Sequence, residues 1–215
     1  MHMAKKVLIL GAAGQIPSIV IPKLLKETDV DMTLLARNAK SRLTASDPKR
    51  ETIVDGDIND TSKLTDVMKG QDIVFSDVPH AEAMSSVIKA MDQAGVKRLI
   101  VAGLLDVDDT VVGPFKKWNN DMIGSGYPDT KKAYQELLDS DVDYTYLKMT
   151  WLYNDKNNEN YKIIPAGEPF KGTQVTREAI AKLIVSIIED PSKYQREDIG
   201  VVEPGTENLS KPSFY

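Results

Sequence analysis

Short apolar runs alternate with stretches of helical periodicity along the whole chain. The apolar runs predict buried parallel strands, and the stretches with apolar residues three and four positions apart predict amphipathic helices. Such alternation favours right-handed crossovers and an α/β fold with one doubly wound parallel sheet. The predicted strands are 7–10, 32–35, 52–54, 73–75, 99–102, 144–147 and 199–202, and the predicted helices lie near 16–27, 61–69, 79–94, 128–139 and 176–189.

The length of 215 residues, 41% of them hydrophobic, suits one well-buried core. We therefore expect a single domain over residues 4–215, preceded by Met1 to Met3 as a cloning remnant and natural start. Residues 152–172 are polar and lack periodicity. We expect them to form a small, irregular C-terminal region that covers the substrate site.

Composition excludes several classes of function. The net charge of −5, without a long basic cluster, argues against nucleic acid or an anionic membrane as a partner. The absence of cysteine excludes disulfides, thiolate metal sites and cysteine nucleophiles. Because His2 lies in the expected cloning remnant, His80 is left as the one native histidine, which excludes a multi-histidine metal site. No apolar run spans a bilayer and no signal peptide is apparent, so a cytoplasmic monomer or homodimer is expected.

The first predicted strand runs into Gly-Ala-Ala-Gly at positions 11–14 and then into a helix. A glycine directly after a buried strand permits a sharp turn, and a second glycine lets a ligand approach the backbone. The unpaired amides at the start of the helix would point at a pyrophosphate above the turn. Pro17 replaces the usual third glycine, which a first helical turn tolerates. The predicted dinucleotide-binding residues here are Gly11, Ala13, Gly14, Gln15 and Ile16.

The same turn also occurs in α/β folds that bind nothing there, so the end of the second strand is needed as further evidence for a dinucleotide. That strand ends at Arg37, where an acidic side chain would favour NAD by accepting hydrogen bonds from the ribose hydroxyls. An arginine instead offers a permanent cation suited to a 2′-phosphate. We therefore predict NADP(H) as the preferred cofactor and NAD(H) as the alternative, with a solvated loop arginine as the competing interpretation.

The chain resembles the atypical short-chain dehydrogenase/reductase superfamily, and within it the NmrA-like and NAD(P)H-binding reductases. The resemblance lies in the turn at 11–14, in 36–38, in Gly56-Asp57, and in 96–100, 140–145 and 168–172. It implies a Rossmann-like fold in which Asp57 accepts a hydrogen bond from the adenine amine and the backbone at Ile58 contacts the ring. The competing interpretation is that Asp57 or Asp60 caps the next helix.

Typical members of that superfamily carry a serine after the fifth strand and a Tyr-x-x-x-Lys that supplies the proton donor. Here 102–105 is Ala-Gly-Leu-Leu, so the serine position is vacant. Tyr127 and Lys131 have the right spacing and are the candidate catalytic acid and its partner. Pro128 predicts that the helix begins only after Tyr127, in which case the pair would be a surface tyrosine and a solvated lysine.

Two functions follow from the resemblance. One is an NADPH-dependent oxidoreductase that transfers hydride to a small carbonyl, quinone or flavin. The other is a non-catalytic NADP(H)-binding redox sensor or regulator of the NmrA-like type, which the vacant serine position favours. Lys148-Met149-Thr150 stands where relatives have Arg-Pro-Gly, and the candidates for a substrate wall are His80, Trp118, Trp151 and Tyr153.

Overall fold

A computed structural model describes residues 3–124 and 126–215. Met1 and His2, which belong to the expected cloning remnant, lie outside the described residues. The described strands are β1 (Lys6–Leu10), β2 (Asp31–Ala36), β3 (Glu51–Asp55), β4 (Ile73–Ser76), β5 (Arg98–Leu104), β6 (Asp143–Met149), β7 (Trp151–Tyr153), β8 (Lys162–Ile164), β9 (Gln174–Thr176) and β10 (Glu197–Val202). The described helices are α1 (Pro17–Glu27), α2 (Ala39–Arg42), α3 (Thr61–Met68), α4 (Ala81–Ala94), α5 (Pro114–Ile123), α6 (Pro128–Asp139) and α7 (Arg177–Glu189).

The main sheet has eight strands in the order β3-β2-β1-β4-β5-β6-β10-β8. Every neighbouring pair is parallel except β10 and β8. The strand order reverses between β1 and β4, where Leu10 lies opposite both Leu35 and Ser76. Open α/β sheets bind ligands at the carboxyl ends of the strands beside such a reversal. The predicted Rossmann-like, doubly wound fold is confirmed.

Two hydrophobic layers cover the sheet. Successive residues of β1 alternate between them: Val7 and Ile9 pack on one side, and Leu8 and Leu10 on the other. The first layer includes the apolar faces of α1 and α7, and the second includes those of α3, α4 and α6. Both faces are therefore buried, which explains why the strands are continuously apolar.

Local signals in the sequence place several helix ends. The Asp60 side chain accepts a hydrogen bond from the Lys63 amide at 3.0 Å and so caps α3, as predicted. Thr176 caps α7 in the same way. Pro128 occupies the first turn of α6, so this helix begins after Tyr127, which confirms the boundary predicted from the proline.

The short elements were not predicted. Helices α2 and α5 and strands β7, β8 and β9 are too short or too polar to give a periodic apolar pattern. The segment 152–172 is consequently less irregular than expected, because it contains most of β7 and the antiparallel edge strand β8. None of the helices in the described part of the chain is long and apolar enough to cross a membrane.

Candidate functional site

A cleft of about 430 Å³ opens at the carboxyl ends of β1 to β4, beside the point where the strand order reverses. Loops that follow all four strands contribute to its wall. Of the predicted cofactor-binding residues, Gln15 and Ile16 lie in the adjoining turn rather than in the wall itself. The wall consists of Gly11, Ala13, Gly14, Ala36, Arg37, Arg42, Gly56, Asp57, Ile58, Asn59, Asp77, Val78, His80, Glu82 and Ala83.

The turn after β1 is held in place by the neighbouring strand. The amides of Gly11 and Ala12 both donate to the Leu35 carbonyl at 3.1 Å, and the Gly14 amide donates to the Gly11 carbonyl at 2.9 Å. Gly11 has a φ of +73°, which favours glycine over any residue with a Cβ. The predicted tight turn is therefore present and rigidly attached to β2.

The remaining amides of this turn have no acceptor. Among the described residues, nothing accepts a hydrogen bond from the backbone N–H of Ala13, Gln15 or Ile16. Pro17, at the first position of α1, has no N–H to offer. Three unpaired donors at the positive end of a helix form a site for an anion.

Two arginines lie on the side of the cleft formed by the loop after β2. Arg37 and Arg42 are both exposed and line the wall, and the Arg42 guanidinium donates to the Arg37 carbonyl at 3.0 Å. Within the described residues, neither guanidinium has a carboxylate partner within salt-bridge distance. Their charges are therefore available to an anionic ligand.

The loop after β3 completes this end of the cleft. Asp57 is exposed, and its carboxylate accepts a hydrogen bond from the Asn59 amide at 2.9 Å. Because Asp60 caps α3, Asp57 is not needed for that role, and its carboxylate borders the cleft with Ile58 beside it. The structure thus leaves Asp57 free to contact a ligand.

Asp77 was not predicted and is part of the cleft wall. It directly follows β4, and its carboxylate packs against Gly14, so that a Cβ at position 14 would collide with it. Burial raises the pKa of Asp77 to about 7, and the positive charge of Arg177 only partly opposes this shift. The glycine at position 14 therefore makes room for an acidic side chain.

Tyr127 and Lys131 line a different cavity, of about 260 Å³, together with Asp106, Asp109 and Lys116 among others. The Lys131 ammonium pairs with Asp109 at 2.8 Å, and this hydrogen bond raises the pKa of Lys131. Burial, followed by the nearby charge of Asp106, raises the pKa of Tyr127. In a catalytic pair the lysine lowers the pKa of the tyrosine, whereas here the pKa of Tyr127 is raised.

A buried ionic cluster involves β6, β10 and the loop after β5. Lys148 of β6 is fully buried, with its ammonium 2.6 Å from Asp108 and 3.3 Å from Asp198. Tyr134 donates to Asp198 at 2.7 Å. Burial alone would raise the pKa of Asp108, but hydrogen bonds from Lys148 and Thr110 outweigh it and hold that pKa below the ordinary value. The cluster ties the loop after β5 to β6 and β10.

The residues that were predicted to form a substrate wall lie in two different places. His80 lines the cleft at the start of α4, mostly exposed and 3.6 Å from Asp129. Trp118, Trp151 and the C-terminal Tyr215 instead pack edge to face against one another, with ring centroids 4.9–5.3 Å apart. Tyr153 packs against Phe214 of the same C-terminal segment. These aromatic residues therefore pack together and do not line the cleft.

Comparison with known proteins agrees with this geometry. A family model described as NAD(P)H-binding matches residues 11–191. The chain belongs to this NAD(P)H-binding family. A short-chain dehydrogenase/reductase from Veillonella parvula, solved in complex with NADP, is 34% identical, with 99% of this chain and 100% of that chain covered at a TM-score of 0.92.

Two further relatives extend the comparison. A Rossmann-fold NAD(P)-binding family protein from Shigella flexneri is 33% identical, with 99% and 100% of the two chains covered at a TM-score of 0.80. A UPF0659 protein from Saccharomyces cerevisiae is 26% identical over 225 residues, which covers 96% of each chain. The predicted membership in the atypical short-chain dehydrogenase/reductase superfamily is confirmed.

Sequence reasoning missed Asp77 and the burial of Lys148 between its partners. Asp77 follows an apolar strand directly, a position where polar residues reach the ligand edge of a parallel sheet, and this signal was available. Lys148 lies within an apolar strand with no local sign of its partners, because Asp108 and Asp198 are remote in sequence. Only the fold brings that cluster together.

Proposed function

We propose that this chain binds NADP(H) in the cleft at the carboxyl ends of β1 to β4 and is an oxidoreductase. The observation that carries the proposal is the set of three unpaired amides, at Ala13, Gln15 and Ile16, on a turn fixed to the neighbouring strand. Such donors suit a pyrophosphate. The Veillonella parvula relative, solved with NADP at 34% identity, supports the same ligand.

The cations in the cleft support NADP(H) over NAD(H). Arg37 and Arg42 are exposed on the wall, both without a carboxylate partner within the described residues, and could hold a 2′-phosphate through charge-assisted hydrogen bonds. Asp57 and Ile58 would meet the adenine, as the resemblance implies. A cofactor of this type supplies hydride, and the protein supplies binding and orientation.

Acid catalysis has little support among the residues beyond β5. Lys131 is paired with Asp109, Lys148 is buried between two aspartates, and Tyr127 has a raised pKa. Quinones and flavins need little acid catalysis because they accept hydride into a delocalised ring, so we propose them ahead of aldehydes and ketones as substrates. These paired charges also favour the second candidate, a non-catalytic NADP(H)-binding redox sensor.

The test combines binding with turnover. NADPH and NADH are titrated into the protein while cofactor fluorescence is monitored, and NADPH oxidation is then followed with a panel of quinones, flavins and aldehydes. Tighter binding of NADPH with turnover of quinones or flavins would support the reductase. Tight binding without turnover on any acceptor would favour the sensor, and binding of neither cofactor would contradict the proposal.

A further inference from the structure

The Asp77 carboxyl occupies an unusual position for an anion-binding cleft. It lies in the wall at the end of β4, half-buried, and packs against Gly14 in the turn that carries the unpaired amides. In the described part of the chain its carboxylate oxygens have no hydrogen-bond donor and no cation at salt-bridge distance. A carboxyl group with no partner of its own therefore faces the region that the amides offer to phosphate.

An ionised carboxylate at this position would repel a pyrophosphate, because like charges a few ångströms apart in a partly desolvated cleft disfavour each other. A protonated carboxyl avoids this repulsion and gains an O–H that can donate a hydrogen bond to a phosphate or hydroxyl oxygen. Movement of the side chain is restricted on the Gly14 side, where the backbone already touches it. Protonation is the simpler way to accommodate the ligand.

We propose that the bound dinucleotide meets Asp77 in its protonated form, so that cofactor binding takes up one proton at this carboxyl. The inference rests on the proposed function, since it requires phosphates over the turn after β1. It assigns Asp77 a direct part in cofactor recognition. It also makes the affinity for the cofactor depend on pH near neutrality.

The charges around Asp77 determine the sign of the effect. Arg177, at the start of α7, is the cation that acts on Asp77, and its guanidinium also donates to the Asn154 side chain at 3.0 Å. The turn 11–14 contributes no titratable group. The remaining charged or titratable groups that face the cleft are Arg37 and Arg42 after β2, Asp57 after β3, and His80 and Glu82 at the start of α4.

Burial has already brought the pKa of Asp77 to about 7 in the free protein, despite Arg177. Below this pH the carboxyl is neutral and compatible with the ligand. Above it, binding must include the uptake of a proton, so affinity falls by up to about tenfold per pH unit, the limit for a single group. The 2′-phosphate of NADPH, with a second pKa of about 6, also becomes more negative as the pH rises, but this change would strengthen its contact with the arginines, and NADH lacks this group.

The experiment measures the dissociation constants of NADPH and NADH from about pH 5.5 to about pH 8.5 and the protons taken up by calorimetry in buffers of different ionisation enthalpy. For the wild-type protein we expect weakening above about pH 7 and uptake approaching one proton at high pH. Asp77→Asn introduces a neutral residue of the same shape, so the cofactor affinity of this variant should stay constant across the pH range. Asp121→Asn makes the same change at an exposed carboxylate outside the cleft wall and should retain the wild-type profile.

The outcomes separate the two proposals. Binding with a flat pH profile and no proton uptake would overturn the role of Asp77 and leave the proposed function standing. A wild-type profile in Asp77→Asn, or its loss in Asp121→Asn, would also overturn it. If Asp77→Asn fails to fold, the calorimetric proton count on the wild-type protein decides. Binding of neither dinucleotide at any pH would overturn the inference and the proposed function together.

Discussion

The carboxyl edge of the sheet has two halves that handle polar groups differently. At the ends of β1 to β4, three amides have no acceptor, two arginines have no carboxylate partner, and the Asp77 carboxyl has no hydrogen-bond donor within the described chain. At the ends of β5 and β6, Lys131 pairs with Asp109, and Lys148 pairs with Asp108 and Asp198. The first half therefore has polar groups that are available to a ligand, whereas the charges of the second half are already paired within the protein.

This difference matters for stability and binding. Unpaired polar groups slightly destabilise the free protein and strengthen the binding of a ligand that satisfies them, whereas paired groups stabilise the folded state. The binding half should therefore tolerate changes in its cations with little loss of stability. The paired half should lose stability when one partner is removed.

The largest effect is expected in the paired half. Lys148→Met leaves the carboxylates of Asp108 and Asp198 without their buried cation, and removal of one partner from a buried pair costs about 3–5 kcal/mol. The free energy of unfolding in urea measures the loss. Lys117→Met is the matched control, because the Lys117–Asp121 pair is exposed and is expected to contribute about 0–1 kcal/mol. Equal losses in the two variants would contradict a stabilising role for the cluster.

The next effect lies in the turn after β1. Gly14→Val would push its side chain into the Asp77 carboxylate and the space above the amides, and overpacking of this kind costs about 1–3 kcal/mol or more. Where this cost opposes cofactor binding, we expect the NADPH affinity to fall by about tenfold to a hundredfold. Circular dichroism and a melting curve check that the variant is folded. Undiminished affinity in a folded protein would remove the turn from the site.

Arg37 should control the choice of cofactor. Arg37→Glu removes a charge-assisted contact of about 1.5–3 kcal/mol and should reduce the preference for NADPH over NADH by about tenfold or more. Unfolding stability should change little, since Arg37 is exposed. Lys40→Glu makes the same charge change on α2 outside the cleft wall and should alter the ratio far less. A cofactor ratio unchanged by Arg37→Glu would exclude this residue from the 2′-phosphate site.

The smallest effect is expected at Tyr127. Its raised pKa, and the pairing of Lys131 with Asp109, leave it without the activation that a catalytic tyrosine needs. Tyr127→Phe should therefore lower turnover of a quinone or flavin by less than the roughly hundredfold typical of a lost general acid. A loss of that size or more, with NADPH affinity intact, would identify Tyr127 as the acid after all.

Sequence reasoning was most successful where a local pattern determines the structure. The apolar run 7–10 and the glycines at 11 and 14 predicted a strand and turn, and Pro128 placed the start of α6. The three-residue strands β7, β8 and β9 carry no periodic pattern, so only the fold defines them. Lys148 was likewise beyond prediction from sequence, because its burial depends on two aspartates contributed by distant segments.

Hydrogen exchange tests the central claim most directly, because it reports on the unpaired amides themselves. Exchange is measured by mass spectrometry with and without saturating NADPH, and peptides covering 11–16 are compared with peptides covering 105–112. We expect NADPH to slow exchange strongly in 11–16, where Ala13, Gln15 and Ile16 would gain an acceptor, with a smaller change in 105–112. Bound NADPH that leaves exchange in 11–16 unchanged would contradict the assignment of this turn as the phosphate site.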